Sequence, residues 1–179
     1  MVCSFGTAAH MIQLRELTGS DLVHTLRWRQ DPTLITWLGE PFRHINCETE
    51  ETWFQHYLAH RNQQVRLMIW AGAQAIGLVQ LTGIHTVHRS AEFSLLIGEA
   101  AFRGQGYGHE ATRHCLQHAF SDLNLHRLEL RVRADNQPAL RLYRRVGFVE
   151  EGRLRQAIFK QGQRIDLLIM GLLAHDYQG

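Results

Sequence analysis

Residues 90–108 read Ser-Ala-Glu-Phe-Ser-Leu-Leu-Ile-Gly-Glu-Ala-Ala-Phe-Arg-Gly-Gln-Gly-Tyr-Gly, and the fold turns on them. The first half, Ser90–Gly98, has a strand pattern, polar at its start and apolar at its end. The second half, Arg103-Gly104-Gln105-Gly106-Tyr107-Gly108, stands before the strongest helix of the chain. There Ala111, Cys115, Ala119 and Leu123 recur every four residues across Tyr107–Leu123. Glycines let successive backbone N–H groups turn toward one concave point, and a helix N-terminus adds roughly half a positive charge. Such a nest suits a pyrophosphate. Arg103 adds a side-chain donor. A flexible strand-to-helix connection is the bland alternative.

Of two common phosphate motifs, one is excluded at this point and the other stays open as the minor reading. A P-loop needs Gly-Lys-Ser/Thr, which the chain lacks. A dinucleotide fingerprint needs its glycines directly after the strand, whereas Glu99-Ala-Ala-Phe102 intervenes here. Glu129, about 20 residues on, is the single feature of that motif present.

Outward from this stretch, the period of the apolar residues changes twice. Ile12–Arg15 is a short strand, and Thr18-Gly-Ser20-Asp21 offers caps for a helix carrying Leu22, Leu26 and Trp28. Asp31-Pro32 opens a second short helix, ended by Gly39-Glu40-Pro41. Thr49–His60 is a third, with Trp53, Phe54, Tyr57 and Leu58 as its buried side. Strands follow at Arg66–Ala71 and Ala75–Leu81. After the long helix, His126–Val132 alternates as a strand. Asn136-Gln-Pro138 then starts a helix that Gly147 closes as a left-handed cap. Phe148-Val149, Gln156–Lys160 and Arg164–Leu172 finish as strands, with Gln161-Gly162 as a turn. This order predicts an α/β fold: a mixed, mostly antiparallel sheet with helices on both faces. With no repeat or linker, residues 11–179 form one domain behind a loose N-terminal extension, residues 1–10.

Composition narrows the function classes. The chain has 179 residues, 45% apolar and 20% charged, the balance of a globular domain rather than a disordered one. No apolar run reaches the ~18–20 residues of a membrane helix. A net charge of +2 gives no bulk case for nucleic acid, although the arginines at 141, 144, 145, 153 and 155 make a local basic patch. Lys160 is the only lysine, which reads as a genome-level bias toward arginine. Three scattered cysteines (Cys3, Cys47, Cys115) make neither a disulfide framework nor a metal pair, and a reducing cytoplasm fits them. Cys115 falls on the apolar stripe and reads as core. His56/His60 and His114/His118 have zinc-compatible spacing, but no third ligand is placed, so no metal is expected.

Arg103-x-x-Gly106-x-Gly108 after Ser94-Leu-Leu-Ile-Gly98 resembles the acyl-CoA pyrophosphate motif of the GNAT N-acetyltransferase superfamily. Asn136-x-x-Ala139-x-x-x-Tyr143-x-x-x-Gly147-Phe148 resembles its second signature. With Glu151-Gly152-x-Leu154-Arg155 and Asp166-x-x-x-Met170, the chain is similar to the branch holding ribosomal-protein N-terminal and spermidine acetyltransferases. The resemblance spans Leu14 to Met170 and implies a GNAT-like fold with acetyl-CoA as co-substrate.

It also implies roles. The strand before the glycine turn splays from its neighbour at a bulge, and the backbone of Leu95, Leu96 and Ile97 bonds the pantetheine amides. Phe102, Arg103, Gly104, Gln105, Gly106, Tyr107 and Gly108 hold the pyrophosphate, and Asn136 and Ala139 border the pantetheine arm. Tyr143 is the general acid: a phenol of pKa about 10 faces a leaving thiolate whose conjugate acid lies near 8.5. Glu92 is the general base for an ammonium of pKa about 10, acting through water; His85 and His88 are alternatives.

The acceptor amine is the open question. Trp37-Leu-Gly-Glu40-Pro41-Phe42 and Val87-His88-Arg89-Ser90-Ala91-Glu92-Phe93 are similar to spermidine acetyltransferases, which places Trp37, Glu40, His85 and His88 on the substrate side. Glu48, Glu50 and Glu51 are further acids for a polyamine's cations. Gly39, however, stands where that branch tends to carry a second acid, so a protein N-terminus and an amino sugar stay open beside a polyamine. A homo-oligomer is compatible with the resemblance. The competing class is a non-catalytic acyl-CoA-binding module, which would need the glycine turn but neither Tyr143 nor Glu92.

Overall fold

The computed structural model describes residues 12–38 and 43–178; the expected N-terminal extension and Glu40 lie outside them. Seven strands carry the fold: β1 (Ile12–Glu16), β2 (Val65–Ala71), β3 (Gln74–His85), β4 (Ser90–Ile97), β5 (Arg127–Arg133), β6 (Val149–Lys160) and β7 (Gln163–Leu173). Five helices join them: α1 (Leu22–Gln30), α2 (Pro32–Ile35), α3 (Cys47–Ala59), α4 (Tyr107–Gln117) and α5 (Gln137–Arg145). The strands form one sheet in the order β1-β2-β3-β4-β5-β7-β6. Every neighbouring pair is antiparallel except β4 and β5.

Alternation along the strands sends side chains to two opposite cores. Met68 and Leu78 join Leu17, Trp28, Leu34, Phe54 and Tyr57 on the face covered by α1, α2 and α3. Ile69, Val79 and Phe93 join Ala111, Cys115, Leu116, Leu140 and Tyr143 on the face covered by α4 and α5. The helices start where polar caps stand. Asp31 Oδ1 accepts the Thr33 and Leu34 amides, at 2.9 and 3.3 Å, ahead of Pro32. Asn46 and Asn136 cap α3 and α5 in the same manner. Gly147, at φ +103°, takes the left-handed place after α5, and the Phe148 amide bonds back to the Tyr143 carbonyl at 2.9 Å.

The structure departs from the sequence pattern in five places, the first being α2, which ends at Ile35 rather than running on to Gly39. The helix expected to run to Leu123 ends at Gln117 and widens into a π-helical turn, His118–Asp122, which leaves Leu123 partly exposed. α3 starts two residues early on its Asn46 cap, and Leu58 faces solvent. Glu50 takes a buried position there instead, paired with Arg29 at 2.6 Å. The two short strands read at 148–149 and 156–160 belong to the single strand β6, whose register against β7 shifts twice. Those irregularities break the alternation that would have marked it as one strand. Finally, β3 runs four residues past Leu81, and its register shift against β4 falls between Thr82 and His85 rather than within the strand before the glycine turn.

Candidate active site

β4 and β5 are paired for three residues only: Ser90 with Arg127, Ala91 with Leu128, Glu92 with Glu129. Beyond that point β4 stays bound to β3 as far as Ile97, and β5 stays bound to β7 as far as Arg133. The two strands therefore part, and from Phe93 onward the facing edge of β4 has no strand partner among the described residues. Backbone polar groups without a partner must be met by water or by a ligand. Leu95, Leu96 and Ile97 lie on this edge.

The glycine turn closes the wide end of the split. Gly104 and Gly106 have φ of +73° and +96°, conformations open to glycine at little cost. Gly106 is the N-cap of α4, and the first bond of that helix runs from the Glu110 amide to the Gly106 carbonyl at 3.1 Å. The amides of the first turn consequently have no partner within the helix and point out past its N-terminus. Gly108 lets α4 press close: a Cβ there would meet Leu95 and Leu142, each at 3.3 Å. Phe102 and Tyr107 brace the turn edge to face, 5.2 Å apart, and Gln105 lies exposed between the two left-handed glycines. Arg103 behaves differently from the expected side-chain donor. Its Nε bonds the Ile97 carbonyl at 2.9 Å and its Nη2 the Gly98 carbonyl at 2.6 Å, so the guanidinium ties the turn to the end of β4.

α5 borders the split on the β5 side. Asn136 spends its side-chain oxygen on the Ala139 amide at 3.2 Å, and Ala139 is partly buried against the larger core. Tyr143 is 8% exposed, edge-on to Phe93 and Phe148 at 6.2 and 5.9 Å. Burial pushes its phenol up to about 12. Its hydroxyl bonds no described residue.

Strand parity puts Glu92 on the other side. Ala91 and Phe93 face the core that holds Tyr143, so Glu92 faces away from it. Glu92 is exposed, makes no ion pair with a described residue, and lines a cavity of about 260 Å³ with Thr82, Ser90, Arg127 and Glu129. Glu129 stands beside it in the ladder, and Glu151 folds over Gly171, the next residue across the sheet. Arg127 reaches Glu151 at 2.5 Å and Glu129 at 3.6 Å. The Arg127 guanidinium holds the Glu151 carboxyl below the usual carboxylate range. From the sequence, Glu129 reads only as a ribose ligand. Its alternation with Leu128 and Leu130 carried the relevant signal, but its neighbour in space did not follow from it.

The remaining expected residues scatter. His85, the last residue of β3, and His88, in the exposed turn before β4, stack on each other at 4.1 Å and do not line the cavity. Trp37 is half exposed, with the Arg133 guanidinium 5.0 Å from its ring. Arg133 also holds the Thr36 carbonyl and Asp135, which ties the end of α2 to the wide mouth of the split. Glu50 is neutralised internally by Arg29. Among the described residues no cluster of three or more metal-ligating side chains occurs, and no helix is long and apolar enough to cross a membrane.

The site is thus a parallel strand pair that opens beside a glycine turn at a helix N-terminus, with the Tyr143 ring packed on Phe93 in the core beside it. The acetyltransferase (GNAT) domain family matches residues 12–149. Spermidine N(1)-acetyltransferase of Vibrio cholerae serotype O1 is 34% identical over 93% of this chain and 95% of its own length. The corresponding enzyme of Escherichia coli K12 is 30% identical over 95% and 90%. The crystal structure of the Vibrio cholerae spermidine N-acetyltransferase with CoA and spermine superposes with a TM-score of 0.88, at 30% identity, over 94% of this chain and 98% of that one. A ribosomal-protein-serine acetyltransferase of E. coli K12 is 26% identical over 69% of this chain. The chain belongs to the GNAT acetyltransferase family. It is an N-acetyltransferase with acetyl-CoA as its co-substrate.

Proposed function

We propose that this enzyme acetylates a primary amine of a polyamine of the spermidine kind, by direct attack with both substrates bound. The observation that carries the reading is the row of carboxylates Glu92, Glu129 and Glu151 on the face of the split opposite Tyr143. A polyamine presents several ammonium groups, and each is stabilised by a carboxylate that can accept its N–H donors. A peptide N-terminus or an amino sugar presents one cation and has less use for such a row. The likeness to spermidine acetyltransferases over nearly the whole chain supports the same reading.

In this assignment acetyl-CoA supplies the thioester, and the chain supplies position and protons. The amides of the glycine turn hold the diphosphate, and the open edge of β4 at Leu95–Ile97 aligns the pantetheine arm toward the point where β4 and β5 part. Asn136 and Ala139 border that arm. Glu92, directly or through one water, takes the proton that the ammonium must lose before attack. Tyr143 meets the leaving sulfur from the other face. A phenol held at about 12 keeps its proton at every working pH. Full transfer to a thiolate whose conjugate acid lies near 8.5 is uphill from there. Its main contribution is therefore a hydrogen bond that strengthens as charge develops on sulfur.

The test is release of free thiol from acetyl-CoA with spermidine, spermine, a monoamine, an amino sugar and an N-terminal peptide. Turnover is expected with the polyamines, and Glu129→Gln is expected to raise KM for spermidine roughly tenfold while leaving a monoamine unaffected. Equal turnover of the monoamine, or an unchanged KM in the variant, refutes the polyamine reading.

A further inference from the structure

Arg66, Gln80 and Ser94 stand side by side on β2, β3 and β4. Strand parity puts them with Met68 and Leu78, on the sheet face opposite Tyr143. Arg66 is 8% exposed and makes no ion pair with any described residue. Burial pulls its guanidinium down to about 10, and the guanidinium carbon lies 4.4 Å from the centre of the Trp53 ring. Its donors go to two glutamine side chains: Nε and Nη2 to Gln64 Oε1 at 3.1 and 2.8 Å, and Nη1 to Gln80 Oε1 at 2.7 Å. A buried cation without a carboxylate is costly, and this one is used to orient a row of neutral dipoles. An arginine cannot accept, so it fixes which end of the Gln80 amide faces it. The amide nitrogen is left facing Ser94 and donates to its Oγ at 3.1 Å. The hydroxyl proton of Ser94 must therefore point elsewhere, and no described residue accepts it.

Ser94 follows Glu92 by two residues on β4, so both side chains leave the same face, about 7 Å apart along the strand. β5 has already parted from β4 at this point, and Ser94 is only half-buried. One water bonded to both side chains fills such a gap. We propose that Ser94 holds the water through which Glu92 deprotonates the acceptor ammonium, with Gln80 and Arg66 as positioning residues acting through it. A water that accepts from both the ammonium and the Ser94 hydroxyl has its own hydrogens turned toward the Glu92 carboxylate. One proton leaves the nitrogen for the water, one leaves the water for Glu92, and Ser94 keeps its own. This assignment rests on the reading of Glu92 as the base.

The test is kcat with saturating acetyl-CoA and spermidine, at about pH 7 and about pH 9.5, for Ser94→Ala, Gln80→Glu and Glu92→Gln. Ser94→Ala is expected to lose roughly tenfold at the lower pH. At the higher pH the loss shrinks to under about threefold, because an amine of pKa about 10 is partly neutral already. Gln80→Glu keeps the shape and gives Arg66 a carboxylate, so its melting temperature is expected not to fall. Its oxygen draws the Ser94 proton inward, however, and kcat at the lower pH is expected to fall as far as in Ser94→Ala. A structural role for the row predicts no such loss. An unchanged kcat in Ser94→Ala, an equal loss at both pH values, or full kcat in Gln80→Glu overturns the relay, and a Glu92→Gln variant impaired in the same assay leaves the base reading standing. Full kcat in Glu92→Gln overturns the base reading and the relay together.

Discussion

Replacing Tyr143 by Phe isolates one atom. The ring is 8% exposed and fixed between Phe93 and Phe148, and Phe fills the same space. Because the hydroxyl bonds no described residue, its removal strands no partner, and stability is expected to change by less than about 1 kcal/mol. The pantetheine edge of β4 and the glycine turn are untouched, so affinity for acetyl-CoA stays within about twofold. Turnover is a different matter. On the proposed role of Tyr143 at the leaving sulfur, its loss costs about a hundredfold or more in kcat, equivalent to roughly 2.7 kcal/mol of transition-state stabilisation. The assay is thiol release under saturating acetyl-CoA and spermidine, beside calorimetry with coenzyme A. Since burial holds the phenol near 12, the wild-type kcat has no descending limb from Tyr143 below about pH 10. A kcat within threefold of wild type refutes the assignment of Tyr143. A parallel collapse of coenzyme A binding refutes the claim that its part is confined to the chemical step.

Two other expectations follow from burial. A Cβ on residue 98 would stand 2.2 Å from Cδ2 of Trp28, whose Nε1 bonds Glu99 at 2.7 Å, so Gly98→Ala must displace that indole. The cost is about 1–3 kcal/mol, visible as a lower melting temperature, and an unchanged melt contradicts the packing. Burial also pushes Cys115, Tyr57 and Tyr143 up to about 12, Tyr57 with help from its bond to Glu16. Unfolded, these groups ionise near 9 to 10, so above about pH 9 the unfolded chain binds fewer protons than the folded one. Stability from all three is full below that pH and is lost as pH rises toward 12; a melting temperature flat from pH 8 to 11 would be inconsistent with their burial. Iodoacetamide at pH 8 is expected to modify the exposed Cys47 and to spare Cys115 until the chain unfolds.

Local chemistry made much of this protein legible in its sequence. Asn46 went unremarked there, but Asn136 and Gly147 mark the ends of α5 because a side-chain cap and a left-handed residue are satisfied within a few residues. Glycine spacing before an apolar stripe located the left-handed turn at the start of α4 for the same reason. The break in β6 was misread because a bulge erases the alternation on which strand reading depends. Leu58 was misassigned because α3 buries a narrower stripe, Glu50, Phe54 and Tyr57, than its apolar residues suggest, and the buried Glu50 is met by Arg29 from another helix.

What the amino-acid order determined alone is the set of elements, their caps and the glycine turn, all written in contacts of short range. The tertiary structure decided the rest: how far β4 and β5 pair before they part, that Glu129 stands beside Glu92, that Arg103 folds back on Ile97 and Gly98, and that three arginines and a histidine line one cavity. Strand register and helix docking join residues dozens of positions apart. Their energies depend on the packing of whole faces, which no local window of sequence contains.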